Sequence, residues 1–196
     1  QESSEPKQVI CCAPPLCWFK GNSDGAAQGI PGLAASGSLF RDYMGNFLCG
    51  ISISLEVDFC FNAELHAVML IIEFAESKKL FPLWLESDSL LTVAAFQNTS
   101  LVPWHLKNKW CNCLLRLQIS IFIVSHIFRE GNSCADKLAK NNWFICPGLQ
   151  GITWWDELPS FLKDDFYRNG VGLPFYRFCY IVKLMCLDCM LLVDYF

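Results

Sequence analysis

A helix-period run followed after one turn by a short buried strand constrains this chain more than any other feature. From residue 62 to residue 78 the apolar positions Leu65, Val68, Ile72 and Ala75 recur at helical spacing, and residues 80–85 then form a short apolar stretch that runs out at Asp88. A strand on each side of such a helix makes a β-α-β crossover, the connection that parallel strands require. Ahead of it lie three strand-like segments, residues 16–23, 33–41 and 47–54, expected to be antiparallel neighbours, with residues 42–46 reading as a hairpin turn. After it come a helix-like pair, residues 89–97 and 103–117, a β-branched strand at 119–125, and a last helix opened by Ser133 as N-cap and running to about residue 141. The order β-β-β-α-β-α-α-β-α predicts an α/β fold: a five-stranded mixed sheet flanked by helices.

Four acidic residues stand in distinct short contexts along that order: Asp24 in Asn-Ser-Asp-Gly, Glu64 in Asn-Ala-Glu-Leu-His-Ala, Asp88 in Glu-Ser-Asp-Ser, and Asp136 in Glu-Gly-Asn-Ser-Cys-Ala-Asp. Asp24 and Asp88 fall where apolar strands run out, and Glu64 and Asp136 fall near helix starts. Reactive groups in sheets with parallel strands collect beyond the strand carboxyl ends, beside the switch in strand order. Adjacent strands for Asp24 and Asp88 are therefore the key expectation. One sheet edge can collect all four carboxylates, and such a cluster repels itself and favours divalent metal ions. Taken singly, each acid reads as a cap or a solvated charge.

With 196 residues, 53% of them hydrophobic and 17% charged, the chain has enough apolar material for one globular domain with extensions and is excluded from global disorder. Residues 1–15 read as a loose, proline-broken lead-in, residues 16–143 as the domain, and residues 144–196 as an extension whose aromatic segment packs back on the domain and whose end is an apolar tail. Lys183, Asp188 and Asp194 interrupt that tail before it reaches the ~20 residues of a membrane span, so no stable membrane association is expected. Of twelve cysteines, Cys49, Cys60, Cys113 and Cys134 among others sit singly in apolar surroundings without a framework spacing, and the one C-x-x-C, Cys186 to Cys189, has no second pair or histidine near it to complete a zinc site. The cysteines read mostly as buried free thiols, hence an intracellular, reducing compartment, nucleus or cytoplasm. The net charge of −4 is uneven: residues 102–143 hold six Lys and Arg against Glu130 and Asp136, or +4, leaving −8 elsewhere. A basic half beside an acidic site suits phosphate binding, and a solvated helix face gives the same count.

In these motifs the chain resembles type 1 ribonuclease H, and most closely its plant retrotransposon-type domain, over residues 16–143. The resemblance is carried by Asn22-Ser23-Asp24-Gly25-Ala26, by Phe40-Arg41-Asp42 with Gly45-Asn46-Phe47, by Ala63-Glu64-Leu65-His66-Ala67, by Leu85-Glu86-Ser87-Asp88-Ser89, and by His126 through Asn132 leading to Ala135-Asp136. It implies a ribonuclease H-like fold and endonucleolytic cleavage of the RNA strand of an RNA–DNA hybrid with two Mg2+ ions, for which Mn2+ can substitute. Asp24, Glu64, Asp88 and Asp136 match the metal-binding acids, and His126 matches a histidine assisting proton transfer or product release. Gly25, Ser89, Lys107, Lys109, Arg129 and Asn132 are the candidate hybrid contacts, Gly25 and Ser89 because a small neighbour lets backbone approach the substrate. Asn132 and Arg129 read equally as a loop-former or a solvated charge, and the two lysines as solvated helix charges. The resemblance also implies a portion of a longer reverse-transcriptase-type polyprotein.

Two departures oppose full activity. The long basic substrate-binding protrusion of some type 1 enzymes is absent, and Phe59-Cys60-Phe61 replaces a polar residue ahead of Glu64. Trp104 and Trp110 read by helical spacing as core rather than stacking platforms. His126 has a plain alternative as a strand-end histidine bonded to backbone. The alternative function is a catalytically weak or inactive nucleic-acid-binding or interaction domain of retrotransposon origin.

Overall fold

The computed structural model describes residues 7–145 and 151–177, and opens with a short strand, β1 (Lys7–Val9). β2 (Phe19–Gly29) turns through Ile30 and Pro31 into β3 (Gly32–Arg41), pairing residue by residue from Lys20↔Arg41 to Gly29↔Gly32. The expected hairpin at 42–46 follows: Asp42 Oδ1 accepts from the backbone N–H groups of Met44 and Asn46, and Gly45 supplies a φ of 79° that a side chain would strain. It leads into β4 (Phe47–Asp58), so the first three expected strands are antiparallel neighbours.

Helix α1 (Cys60–Lys78) crosses to β5 (Leu83–Ser87), which lies parallel to β2. The short α2 (Leu90–Ala95) and the longer α3 (Trp104–Leu117) return the chain to β6 (Phe122–His126), parallel to β5. Ser133 then begins α4 (Ser133–Ile145). Five strands were expected in the sheet, and it has six, in the order β6-β5-β2-β3-β4-β7. The additional strand, β7 (Ile152–Trp155), pairs antiparallel with the edge of β4 and lays Trp154 on Phe74 with ring centroids 4.8 Å apart. It is a short Trp-rich run without the alternation that marks a half-buried strand.

Alternation along β3 divides the core between two faces. Phe40 joins Ile51, Leu65, Val68, Met69, Ile72, Leu83, Leu85 and Trp110 beneath α1 and α3, whereas Leu39 joins Cys134, Leu138, Leu162 and Phe166 on the α4 side. Leu162 closes a 3-10 turn that runs into α5 (Lys163–Gly170).

The lead-in is tied down from residue 7. β1 pairs antiparallel with β8 (Phe175–Arg177), and Val9 and Cys11, apolar residues within a polar, proline-broken stretch, are buried with Ile127. Eight described cysteines are free; Cys11, Cys49, Cys113 and Cys134 are buried, but Cys12, Cys17, Cys60 and Cys111 are exposed. Cys60 is exposed because it opens α1, one residue after the strand-to-helix turn. Cys186 and Cys189, like the apolar tail, lie outside the described residues. Among those described, no helix is long and apolar enough to cross a membrane.

Trp110 is fully buried under Phe96, with ring centroids 4.9 Å apart. Truncation leaves a cavity as well as lost transfer energy, so Trp110→Ala is expected to cost about 3–5 kcal/mol in denaturant unfolding.

Candidate metal centre

Small residues let a helix backbone lie on the sheet where the carboxylates meet. A Cβ on Gly25 would stand 2.7 Å from the Cα of Glu64 and closer still to its nitrogen, so only glycine allows α1 to cross β2 there. One strand over, the Ser36 and Ser38 hydroxyls donate to the Ala63 and Ala67 carbonyls at 2.7 and 3.1 Å, fastening successive turns of α1 to β3. Gly25 N–H donates to the Glu64 carboxylate. Gly25 is thus covered by the helix. The expected approach of substrate to its backbone is corrected to an approach of α1.

Asp24 is not at the end of its own strand, which continues five residues further to Gly29. The parallel pairing with β5 stops at Ser23↔Ser87, so Asp24 and Asp88 both stand one residue beyond the last pair of the two neighbouring strands. Strand adjacency, not strand termination, puts them together. Asp24, Glu64 and Asp88 each offer a carboxylate oxygen within 4.8 Å of the others.

Their environments differ sharply. Asp24 is fully buried and neither oxygen has a donor. Burial, then the charges of Glu64, Asp88 and Asp136, pushes its carboxyl well above the usual range. Burial and Asp88 likewise raise Glu64, against the Gly25 N–H and Arg129, which pull it down. Asp88 is the supported member: Asn132 Nδ2 donates to it at 3.1 Å and Arg129 Nε lies 3.5 Å away.

The fourth acid, Asp136, lies close enough to raise the carboxyls of Asp24 and Glu64 but stands outside the tight triad, paired with Lys140 at 2.7 Å, one turn along α4. His126 Nε2 lies 3.2 Å from the Asp88 carbonyl, the backbone role set beside catalysis in the sequence reading. Asn132, expected on the hybrid, is 1% exposed with its amide committed inside the protein. Ser89 caps α2, its hydroxyl accepting from Thr92 N–H at 3.2 Å. Lys109 pairs with Glu73 at 3.7 Å, and Lys107 is exposed. Trp110 is core, but Trp104, the first residue of α3 and off its buried stripe, is 86% exposed. Lys20 and Glu86 were not singled out by sequence. The available signal was a lysine set between Phe19 and the Asp24 motif.

Orphaned carboxylate oxygens facing two other carboxylates fit a hard divalent cation, which oxygen ligands suit. Without a cation, a group with a raised folded pKa contributes stability at low pH that is lost as pH rises through that pKa. Metal-free Asp24→Asn should therefore exceed wild type in melting temperature at pH 8 by a few degrees, about what 1 kcal/mol produces in a domain of this size, and the gap should close as pH falls. Scanning calorimetry from pH 5 to 8 measures it; a gap widening toward acid contradicts the buried-charge account.

Residues 22–142 match the family model described as reverse transcriptase-like. The chain is 32% identical over 157 residues to a provisionally named ribonuclease H protein of Arabidopsis thaliana, covering 78% of this chain and 25% of the relative. It thus spans about a quarter of that relative's length. LC11-RNase H1, isolated from compost by a metagenomic approach, superposes with a TM-score of 0.58 at 26% identity over 64% of this chain and 95% of its own. The same enzyme in complex with an RNA/DNA hybrid gives a TM-score of 0.56 at 27% identity, covering 63% and 94%. The sheet order, the site at its parallel switch and these likenesses agree: the chain belongs to the reverse transcriptase-like family and carries a ribonuclease H-like domain.

Proposed function

We propose that this domain hydrolyses the RNA strand of RNA–DNA hybrids, with Asp24, Glu64 and Asp88 holding Mg2+, or Mn2+ in its place. The observation that carries this reading is Asp24, a fully buried carboxylate without a donor, turned toward two further carboxylates. A fold has no stabilising use for that arrangement by itself. The LC11-RNase H1 complex shows that a related enzyme engages such a hybrid, which supports the substrate class.

When bound, two divalent ions supply Lewis acidity at the scissile phosphate and at the leaving 3′ oxygen. The chain's own groups prepare the place. Gly25 N–H orients Glu64, Asn132 and Arg129 orient Asp88, and His126 ties the Asp88 backbone to β6. Arg129, its side chain 68% exposed beside Asp88, is the cation we assign to the phosphate backbone. Lys107 joins it as an exposed charge on α3. An intracellular, reducing compartment belongs to the same proposal, on the cysteines' lack of a framework spacing.

A second reading, hybrid binding without cleavage, draws on Asp136, whose pairing with Lys140 leaves three acids rather than four in the cluster. Incubating purified protein with labelled hybrid separates the two. Wild type should cut the RNA strand only when Mg2+ or Mn2+ is present. Asp88→Asn should fold and cut roughly a thousandfold more slowly, the loss that several kcal/mol of charge stabilisation implies. Folded wild type that binds the hybrid and leaves it intact selects the second reading.

A further inference from the structure

Beneath the carboxylates runs a chain of buried polar side chains, of which the proposed chemistry uses only the last, Asn132. Lys20, with no exposed surface, places Nζ 2.7 Å from Glu86 Oε2, 2.7 Å from the Cys12 carbonyl oxygen and 4.0 Å over the Trp84 ring. Glu86 Oε2 accepts from Asn22 Nδ2 at 3.0 Å, and the same amide nitrogen donates to Asn132 Oδ1 at 3.3 Å. Asn132 Nδ2 in turn donates to the Ser23 carbonyl at 2.8 Å and to Asp88 Oδ1 at 3.1 Å.

Each link fixes the orientation of the next. An asparagine amide can sit either way round, and a flipped Asn132 would turn its oxygen on the Ser23 carbonyl and the Asp88 carboxylate, both acceptors. Its orientation holds because its oxygen already receives Asn22. The orientation of Asn22 is dictated in the same way, since both its N–H bonds are drawn to Glu86 and Asn132 although this leaves Asn22 Oδ1 buried without a partner. Glu86 stays in place because a buried carboxylate without Lys20 would be uncompensated.

We infer that Lys20 and Glu86 are positioning residues for the Asp88 carboxylate, acting through Asn22 and Asn132. The anchor of the relay is the Cys12 carbonyl, so a segment ahead of the matched family region, residues 7–12, is tied to the site. The inference rests on the reading of Asp88 as a metal-holding carboxylate, and its test includes a readout that needs no metal.

In Asn22→Ala the ion pair stays and the relay is cut; in Glu86→Leu both are lost; Glu86→Gln keeps an acceptor for Asn22. Side-chain amide exchange of Asn132, followed in nitrogen-15 spectra without metal, should be at least tenfold faster in Asn22→Ala and Glu86→Leu, with Glu86→Gln restored toward wild type. Mn2+ titration of the same folded proteins should show a dissociation constant raised about tenfold in the first two variants and within threefold of wild type in Glu86→Gln. Trp110→Phe, which lowers stability elsewhere, should move neither quantity. Exchange and affinity unchanged in Asn22→Ala would reduce Lys20 and Glu86 to an internal ion pair and overturn the inference, whether or not Glu86→Leu folds. Wild type that shows slow Asn132 exchange and does not bind Mn2+ would instead sink the metal reading of the site.

Discussion

The close crossing of α1 over β2 and β3 is the constraint on which the rest depends. Helices ordinarily stand off a sheet by the depth of their side chains. Here Gly25, Ser36 and Ser38 leave no such layer, and the serine hydroxyls bond directly to helix carbonyls. A hydroxyl donating to a helix carbonyl usually belongs to the helix itself; supplied from a neighbouring strand, it fastens α1 at a fixed height and rotation. That rotation puts Leu65, Val68, Met69 and Ile72 into the core and leaves Glu64 over Gly25, facing Asp24 and Asp88. The apolar face of α1 thus holds a carboxylate where its charge is least welcome.

The three carboxylates are not equivalent, and the difference follows from which backbone each belongs to. Asp88 stands just beyond the end of β5, where a loop side chain, Asn132, and an exposed one, Arg129, can reach it. Glu64 projects from a helix and receives one strand N–H. Asp24 lies within a continuous strand paired to β3, and the neighbouring Gly25 N–H is taken by Glu64, so neither of its side-chain oxygens has a donor. Electrostatic need is graded from Asp88 to Asp24, and the least satisfied group sits deepest. This is the order expected of a site completed by a cation, because the ion removes repulsion most where no protein donor has done so.

Sequence patterns reached the fold through its periodic parts. Leu65, Val68, Ile72 and Ala75 defined α1 because burial on one face imposes a period, and the apolar alternation Phe47, Cys49, Ile51, Ile53 marked β4, although its middle residues Cys49 to Ser52 are buried on both faces. The end of β2 was misplaced because it is set by pairing with β3, which carries Asp24-Gly25-Ala26 along as strand despite their turn-like composition. β7 was missed because Ile152–Trp155 joins an edge where only part of each side chain is covered. At the site, Glu64 and Asp136 fall near helix starts and Asp88 just past its strand, as their contexts suggested, while Asp24 lies inside its strand, and contacts that depend on rotamers were not legible. Asn132 read as a loop residue able to touch nucleic acid, while its surroundings draw its amide inward to Ser23 and Asp88. Ser89 has an analogous history, since a hydroxyl ahead of a short helix finds the N-cap before it finds a ligand.

Asp136 shows how burial decides what a like-charge cluster does without its cation. Its side chain is 18% exposed, where those of Asp24 and Glu64 are almost wholly covered, and Lys140 on the next turn of α4 reaches it from solvent. Lys140 is itself 46% exposed, and an exposed pair of this kind is worth little, being screened by salt and opposed by lysine side-chain entropy. The pairing is therefore a weak claim on Asp136, easily released. Asp24 has no such partner: neither of its buried oxygens has a donor, and Arg129, the cation whose guanidinium feels its charge, pairs with Asp88 instead. The members of the cluster thus separate into one that the protein can neutralise at small cost and one that it cannot neutralise except by protonation or by an ion small enough to fit among oxygens.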